Sequence, residues 1–333
     1  MTTTSGTRTA IDLAALREAI HLPTSAEELV PPPRFAAKTF ADYRIDAQIP
    51  GQAEAVAAVR AFAAWKRPFL GFLRKPPGPP GLYLDGGFGV GKTHLLAAAF
   101  HTAPGSRRFL SFAEAISLII LLGGTKAADL LAADLVCIDE FELDDPANTR
   151  LADLLLEALV ERGSRILTTS NTVPGELGQG RFAADQFHNQ LARIADRFSD
   201  IHVPGTDHRR RATVNGTIPG WGPAVEPFAD GAVNTVLDQR GLDDLLIGIP
   251  VANLRRLAAR LVQVTITGVE PFTNQLAALR FVAFIDRCYE QCTRLRVQSH
   301  HPIDALFPEE HCLAAFAKKY RRCQSRLSEM CEA

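Results

Sequence analysis

The run Gly86-Gly87-Phe88-Gly89-Val90-Gly91-Lys92-Thr93 constrains the fold of this chain more than any other stretch, because it satisfies G-x-x-x-x-G-K-[ST] in full. A strand-like apolar segment, Gly81-Leu-Tyr-Leu-Asp85, precedes it, and a helix-like one, His94-Leu-Leu-Ala-Ala-Ala-Phe100, follows. A strand, a glycine-rich turn and a helix N-terminus in that order make a phosphate-binding loop. The glycines tolerate positive φ, so backbone N–H groups can turn inward around a triphosphate. The dipole of the following helix adds to that attraction. Lys92 is placed to reach the β and γ phosphates, and the Thr93 hydroxyl to ligate Mg²⁺. Every residue from Gly86 to Thr93 is a candidate nucleotide contact.

The chain around the loop has 333 residues, enough for two domains and a buried core. Hydrophobic content of 47% and charged content of 22% describe an ordinary globular protein. A net charge of −1 argues against a surface that coats nucleic acid. No apolar run approaches membrane-span length; Leu118–Leu122 is far too short. The N-terminal stretch lacks an uninterrupted apolar core and an A-x-A site, so it reads as a polar tail and short helix, and the expected location is the cytoplasm. Six cysteines without a C-x-x-C pattern read as reduced structural thiols. Cys288 and Cys292 share a helix face near His300 and His301, but the spacing matches no common zinc module.

Residues 1–40 read as a partly disordered N-terminal leader, broken by Pro31-Pro32-Pro33. Residues 41–205 alternate strand-like and helix-like segments, which argues for a parallel sheet covered by helices. Strands are expected at 81–85, 108–113, 135–138, 165–170 and 200–203. Residues 206–239, rich in Pro, Gly, Thr and Arg, read as a linker. Residues 240–333 read as a smaller, helical, lid-like domain without a strand. The expected class is α/β, a P-loop NTPase core of AAA+-like type with a mostly helical C-terminal domain.

Two strand ends add chemistry to the loop. Leu135-Val-Cys-Ile-Asp139-Glu140 is a buried apolar strand ending in two acids, at the sheet edge where ligands lie in parallel α/β folds. Asp139 is the candidate to hold Mg²⁺, and Glu140 the candidate base that polarises water. Arg165-Ile-Leu-Thr-Thr-Ser-Asn171 is a second strand ending in an amide. Asn171 is placed to touch the γ-phosphate and the lytic water, the sensor-1 role in AAA+ ATPases; the plain alternative is a turn cap before Pro174. A base aimed at water argues for ATP hydrolysis and against a small-molecule kinase.

The chain resembles the ZapE-type cell-division ATPases, bacterial relatives of the mitochondrial lactation-elevated ATPases, and most of all their actinobacterial branch. The resemblance is carried by GLYLDGGFGVGKTHLLAA (81–98), LVCIDEFELDDP (135–146), TTSNTVPGELGQGRFAADQF (168–187), LAALRFVAFIDRCYE (276–290) and KKYRRCQSRLSEM (318–330). It implies an AAA+-like core, ATP hydrolysis, homo-oligomer formation, a cytoplasmic location and association with the FtsZ division ring. Two departures concern partner contacts: Asp207-His208-Arg209 stands where the family has Asp-Tyr-Arg, and Ile249–Arg256 lacks a His-Pro-Ser-like motif.

AAA+ rings complete each site with a neighbour's arginine. Position favours Arg197, ahead of the last core strand; the resemblance favours Arg181, which is taken first, with Arg197 and Arg193 as alternatives. Each of them serves equally as a surface ion pair. Arg280 is a candidate sensor-2 arginine reading the γ-phosphate, or else a helix-face charge over apolar neighbours. The basic runs Lys318–Arg322 and His208–Arg211 read as solvated charge. A rival class is a nucleic-acid-handling AAA+ ATPase of the helicase-loader or initiator type, which shares the loop and acid pair but carries a basic DNA-binding module that this nearly neutral chain lacks.

Overall fold

The computed structural model describes residues 22–23, 25–65, 78–143, 145–171, 185–205, 218–228, 234–308 and 314–332. The described residues divide into two compact units, one within Leu22–His208 and one from Arg209 onward. Among the described residues no helix is long and apolar enough to cross a membrane.

The apolar runs of the first unit become the strands of one sheet. β1 (Gly81–Asp85), β3 (Leu135–Asp139) and β4 (Arg165–Thr169) are buried at every residue, while β2 (Arg107–Ser111) begins half-buried and β5 (Phe198–His202) keeps exposed positions. Their order is β2-β3-β4-β1-β5, and every pairing is parallel. Parallel neighbours require crossover connections. The helices that flank the sheet are α1 (Gln52–Ala64), α2 (Lys92–Thr102), α3 (Phe112–Leu122), α4 (Gly124–Leu131), α5 (Pro146–Glu161) and α6 (Asp185–Ala195). Local chemistry starts two of them. Ser111 and Glu114 form a reciprocal capping box on α3, and Asp145 caps α5 ahead of Pro146. Leu84, Leu95, Leu96, Cys137 and Leu167 are fully enclosed where α2 meets the sheet.

This order makes the carboxyl ends of β3, β4 and β1 neighbours, so three segments distant in sequence leave the sheet side by side. The unit also begins earlier than residue 41. Leu29, Phe40 and Tyr43 are buried in it, and the Phe109 N–H donates to the Leu29 carbonyl at 2.8 Å. Part of the expected leader is therefore core.

The second unit corrects the expectation of a strand-free segment from 240 onward. It contains a four-stranded sheet of order β6-β9-β8-β7, built from β6 (Trp221–Gly222), β7 (Asn234–Asp238), β8 (Gln263–Val269) and β9 (Arg294–Ser299). All its pairings are parallel. β6 and β7 occupy part of the stretch read as a linker. Helices α7 (Gln239–Ile247), α8 (Leu254–Ala259), α9 (Gln275–Glu290) and α10 (Ala314–Glu332) supply the other layer. The strands are short, and β9 alternates apolar and polar residues, with Leu295 and Val297 buried and Arg294 exposed. That period-two signal was present at Arg294–Ser299 but stood among longer helical patterns. The fold as a whole is α/β, parallel sheets flanked by helices.

Within this unit Asp286 of α9 is buried between Arg322 and Arg326 of α10 and forms an ion pair with each. Arg326 also lies over the Tyr289 ring at 4.8 Å. The basic run Lys318–Arg322 is thus partly structural: Tyr320 is buried and Arg322 is paired. Removing one member of a buried ion cluster leaves the others uncompensated. Asp286→Ala should therefore cost about 3–5 kcal/mol, read by denaturant unfolding of the second unit. Trp221 reports that unit in a Trp65→Phe background, and an unshifted transition would mean the cluster contributes nothing.

Candidate active site

The loop between β1 and α2 is shaped by backbone constraints. Gly91, at the start of α2, has φ +94, and Gly86 has φ +143. A Cβ on Gly91 would lie 2.6 Å from the Tyr43 ring, and one on Gly86 would lie 2.5 Å from the Val203 carbonyl oxygen. Both positions need glycine. Tyr43 also clamps the loop from outside, its hydroxyl donating to the Val90 carbonyl at 2.7 Å. His94 extends that clamp. Its ring meets Tyr43 edge-on and its Nε2 lies 2.8 Å from the Thr39 carbonyl, while burial pushes its pKa down. Gly87 is exposed, Phe88 and Gly89 are half-buried at the turn, and Val90 is buried.

Lys92 is only 8% exposed. An ammonium so placed must be solvated by protein groups. Its Nζ donates to the carbonyls of Gly86 (2.6 Å) and Gly87 (2.7 Å) and to Asn171 Oδ1 (3.0 Å). The Thr93 hydroxyl donates to Asp139 Oδ1 at 3.2 Å. The loop is therefore joined by side chains to the ends of both β3 and β4.

Thr169, the last residue of β4, ties the two acids together. Its buried hydroxyl donates to Asp139 Oδ1 and accepts the Glu140 N–H, the latter at 3.1 Å. Its carbonyl accepts the Phe141 N–H at 2.7 Å. Glu140 stands at φ +55, a region rarely used by residues with a Cβ. Phe141 is buried against Phe112 and Tyr83, with ring centroids 4.9 and 6.3 Å away. Asp139 faces the loop, Phe141 fills the core, and Glu140 makes the turn between them. The sequence reading did not single out Thr169. Two threonines end the strand, and which one faces the acids is decided by pleat and register alone.

Asn171 is bonded at both ends of its amide. Oδ1 accepts from Lys92, and Nδ2 donates to Glu142 Oε1 at 2.9 Å. Glu142 is a second residue that the sequence reading passed over. Arg181 lies outside the described residues. Arg193 and Arg197 both pair with the buried Asp153 of α5, each at 2.6 Å, in their own chain. Arg280 belongs to the second unit, where it lies 3.4 Å from Asp243 of α7. Cys288 is buried and its thiol pKa is raised by that burial, whereas Cys292 is exposed. Among the described residues no group of three or more His, Cys, Asp or Glu could hold a metal ion.

The assembled groups suit a phosphorylated ligand. A buried ammonium lies against a glycine-rich backbone. The oxygens of Thr93 and Asp139 are hard donors of the kind Mg²⁺ accepts, and a divalent ion there would be bound by few protein ligands, as that cation prefers. A carboxylate, Glu140, stands at the adjoining strand end.

A family model described as AFG1-like ATPase matches residues 23–224 and 252–333. The "Cell division protein ZapE" of Escherichia coli K12 is 25% identical over 296 residues, covering 75% of this chain and 77% of that protein. An uncharacterised protein of Schizosaccharomyces pombe is 23% identical over 348 residues, covering 81% of this chain and 77% of its own length. The crystal structure of DnaI superposes with a TM-score of 0.43 at 20% identity, over 55% of this chain and 98% of that one. Domain III of the Thermotoga maritima replication initiation protein DnaA gives 0.39 at 18% identity, over 54% and 72%.

Thr169→Val keeps the shape of the strand end and removes the hydroxyl shared by Asp139 and Glu140. It should lower stability by about 1–3 kcal/mol, the scale of losing hydrogen bonds to buried groups, one of them charged. Thr169→Ser should retain most of that stability. Equal denaturation midpoints for Thr169→Val and the parent would show that the hydroxyl is not a tie.

Proposed function

The chain belongs to the AFG1-like ATPase family, an AAA+-like ATPase, and from that premise we propose that it hydrolyses ATP with Mg²⁺ at the ends of β1, β3 and β4 and couples hydrolysis to remodelling of a protein assembly. One observation carries this reading. Lys92 bonds Asn171, and Thr93 next to it in the chain bonds Asp139, whose second partner Thr169 also holds Glu140.

In this reading the loop from Gly86 to Gly91 cradles the phosphates, and Lys92 exchanges its carbonyl partners for phosphate oxygens. Thr93 and Asp139 hold Mg²⁺, which when bound neutralises charge developing on the transferring phosphoryl group. Glu140 accepts the proton of the attacking water, and Asn171 orients that water or the γ-phosphate. A neighbouring subunit of a homo-oligomer supplies Arg181. The cis pairing of Arg193 and Arg197 with Asp153 gives both of those residues a structural task and supports that choice. Arg280 as a reader of the γ-phosphate remains part of the proposal and requires it to leave Asp243. The resemblance to division proteins, one of which bears that name in Escherichia coli, motivates a cytoplasmic role on the FtsZ ring.

Lys92→Ala should abolish nucleotide binding or turnover in a phosphate-release assay, and unchanged turnover would remove the loop from the mechanism. Glu140→Gln should keep ATP affinity and lose about 10²–10⁴-fold in turnover, the usual cost of a missing general base. The same trapped form is the one to purify from cells, where FtsZ should co-purify with it in the presence of ATP.

Arg181→Ala should bind ATP and hydrolyse it poorly. Mixed with excess Glu140→Gln subunits, it should regain activity, because the neighbour's Arg181 then serves the mutant's intact Glu140. A trans arginine contributes about 10³–10⁵ in rate, so rescue stands well above background. No rescue in confirmed oligomers would place Arg181 in cis or outside the site.

A further inference from the structure

We propose that Glu142 is a positioning residue that biases the site against the γ-phosphate by holding the Asn171 amide in the wrong orientation for it; the inference rests on the ATP site described above. The orientation of that amide is fixed by its partners. Lys92 can only donate, so Oδ1 faces it at 3.0 Å, and the Glu142 carboxylate accepts from Nδ2 at 2.9 Å. Lys92 is the group that reaches the phosphates. The end of Asn171 nearest the phosphates is therefore an oxygen.

An oxygen there cannot bond a γ-phosphate oxygen, since both are acceptors. To offer an N–H, the amide must turn over by roughly half a rotation about its terminal bond, a broad two-fold torsion. That turn takes Nδ2 away from Glu142 and brings Oδ1 against the carboxylate. Glu142 and the γ-phosphate thus compete for one N–H group. A hydrogen bond to a charged group is among the stronger ones, so the competition has a measurable size. ADP has no γ-phosphate and leaves the amide as it stands. Glu142 accordingly favours the empty and ADP-bound states over the ATP-bound state, and returns Asn171 to its starting orientation once the γ-phosphate has left. Glu142 itself is half-buried just after the acid pair, and Leu143 beside it is buried, so its backbone is anchored.

The test is calorimetric titration of Mg-ATP and Mg-ADP into full-length protein, all in a Glu140→Gln background that prevents turnover. Glu142→Ala should raise the ratio of ATP to ADP affinity roughly tenfold, the scale of one charged hydrogen bond. Glu142→Gln is isosteric and can pair with either orientation of the amide, so it should raise the ratio to a similar degree without disturbing packing. In an Asn171→Ala background neither substitution should change the ratio. A shift that affects both nucleotides equally, or one that persists without Asn171, overturns the proposal. Failure of the Glu140→Gln parent to bind ATP would overturn the site and this inference together, whereas binding with an unchanged ratio overturns the inference alone.

Discussion

The parallel pairing of β4 with β3 on one side and β1 on the other is the constraint from which the site follows. Ile138 pairs with Thr168 and Leu84 with Thr169, which sets the Thr169 side chain beside Asp139 and the loop after β1 beside Asn171. A one-residue slip of β4 would exchange the faces of Thr168 and Thr169 and remove the hydroxyl from the acids. Both neighbours of β4 are buried along their whole length, so such a slip would also expose or bury the wrong side chains throughout the sheet. Register and active-site geometry are therefore one property of this unit.

The electrostatics of the site follow from that geometry. Lys92 is buried, as is Asp139, and neither charge could be left there unsolvated without a large cost. The loop lends its own carbonyls to the ammonium, and Thr93 and Thr169 lend hydroxyls to the carboxylate. The left-handed backbone at Glu140 is held by Thr169 on one side and by the buried Phe141 ring on the other.

The second unit shows a different balance. Its core is apolar, from Leu257 and Val264 to Phe284 and Leu327, but α9 and α10 are also tied by a buried carboxylate between two arginines. A shifted alignment of the two helices would strand a buried charge. The cluster also gives Arg322, in a run that reads as solvated charge, a buried partner.

The sequence by itself determined the α/β class, the strand, glycine-rich turn and helix at 81–102, and the buried strand that ends at Asp139. Each is encoded locally: glycines at strained turns, a buried strand as a continuous apolar run, a helix start as a cap. The family was legible in the runs around 135–146 and 168–187 for the same reason. Only the tertiary structure decided which of two adjacent threonines serves the acids, that Glu142 grips Asn171, that Arg193 and Arg197 share Asp153, and that Leu29, Phe40 and Tyr43 belong to the core. It alone revealed the second sheet, whose strands are short and set among longer helices. The physical reason is common to all of these. Pleat, register and the crossing of helices bring together side chains far apart in the chain, and a hydroxyl or carboxylate carries no local mark of the partner it will meet.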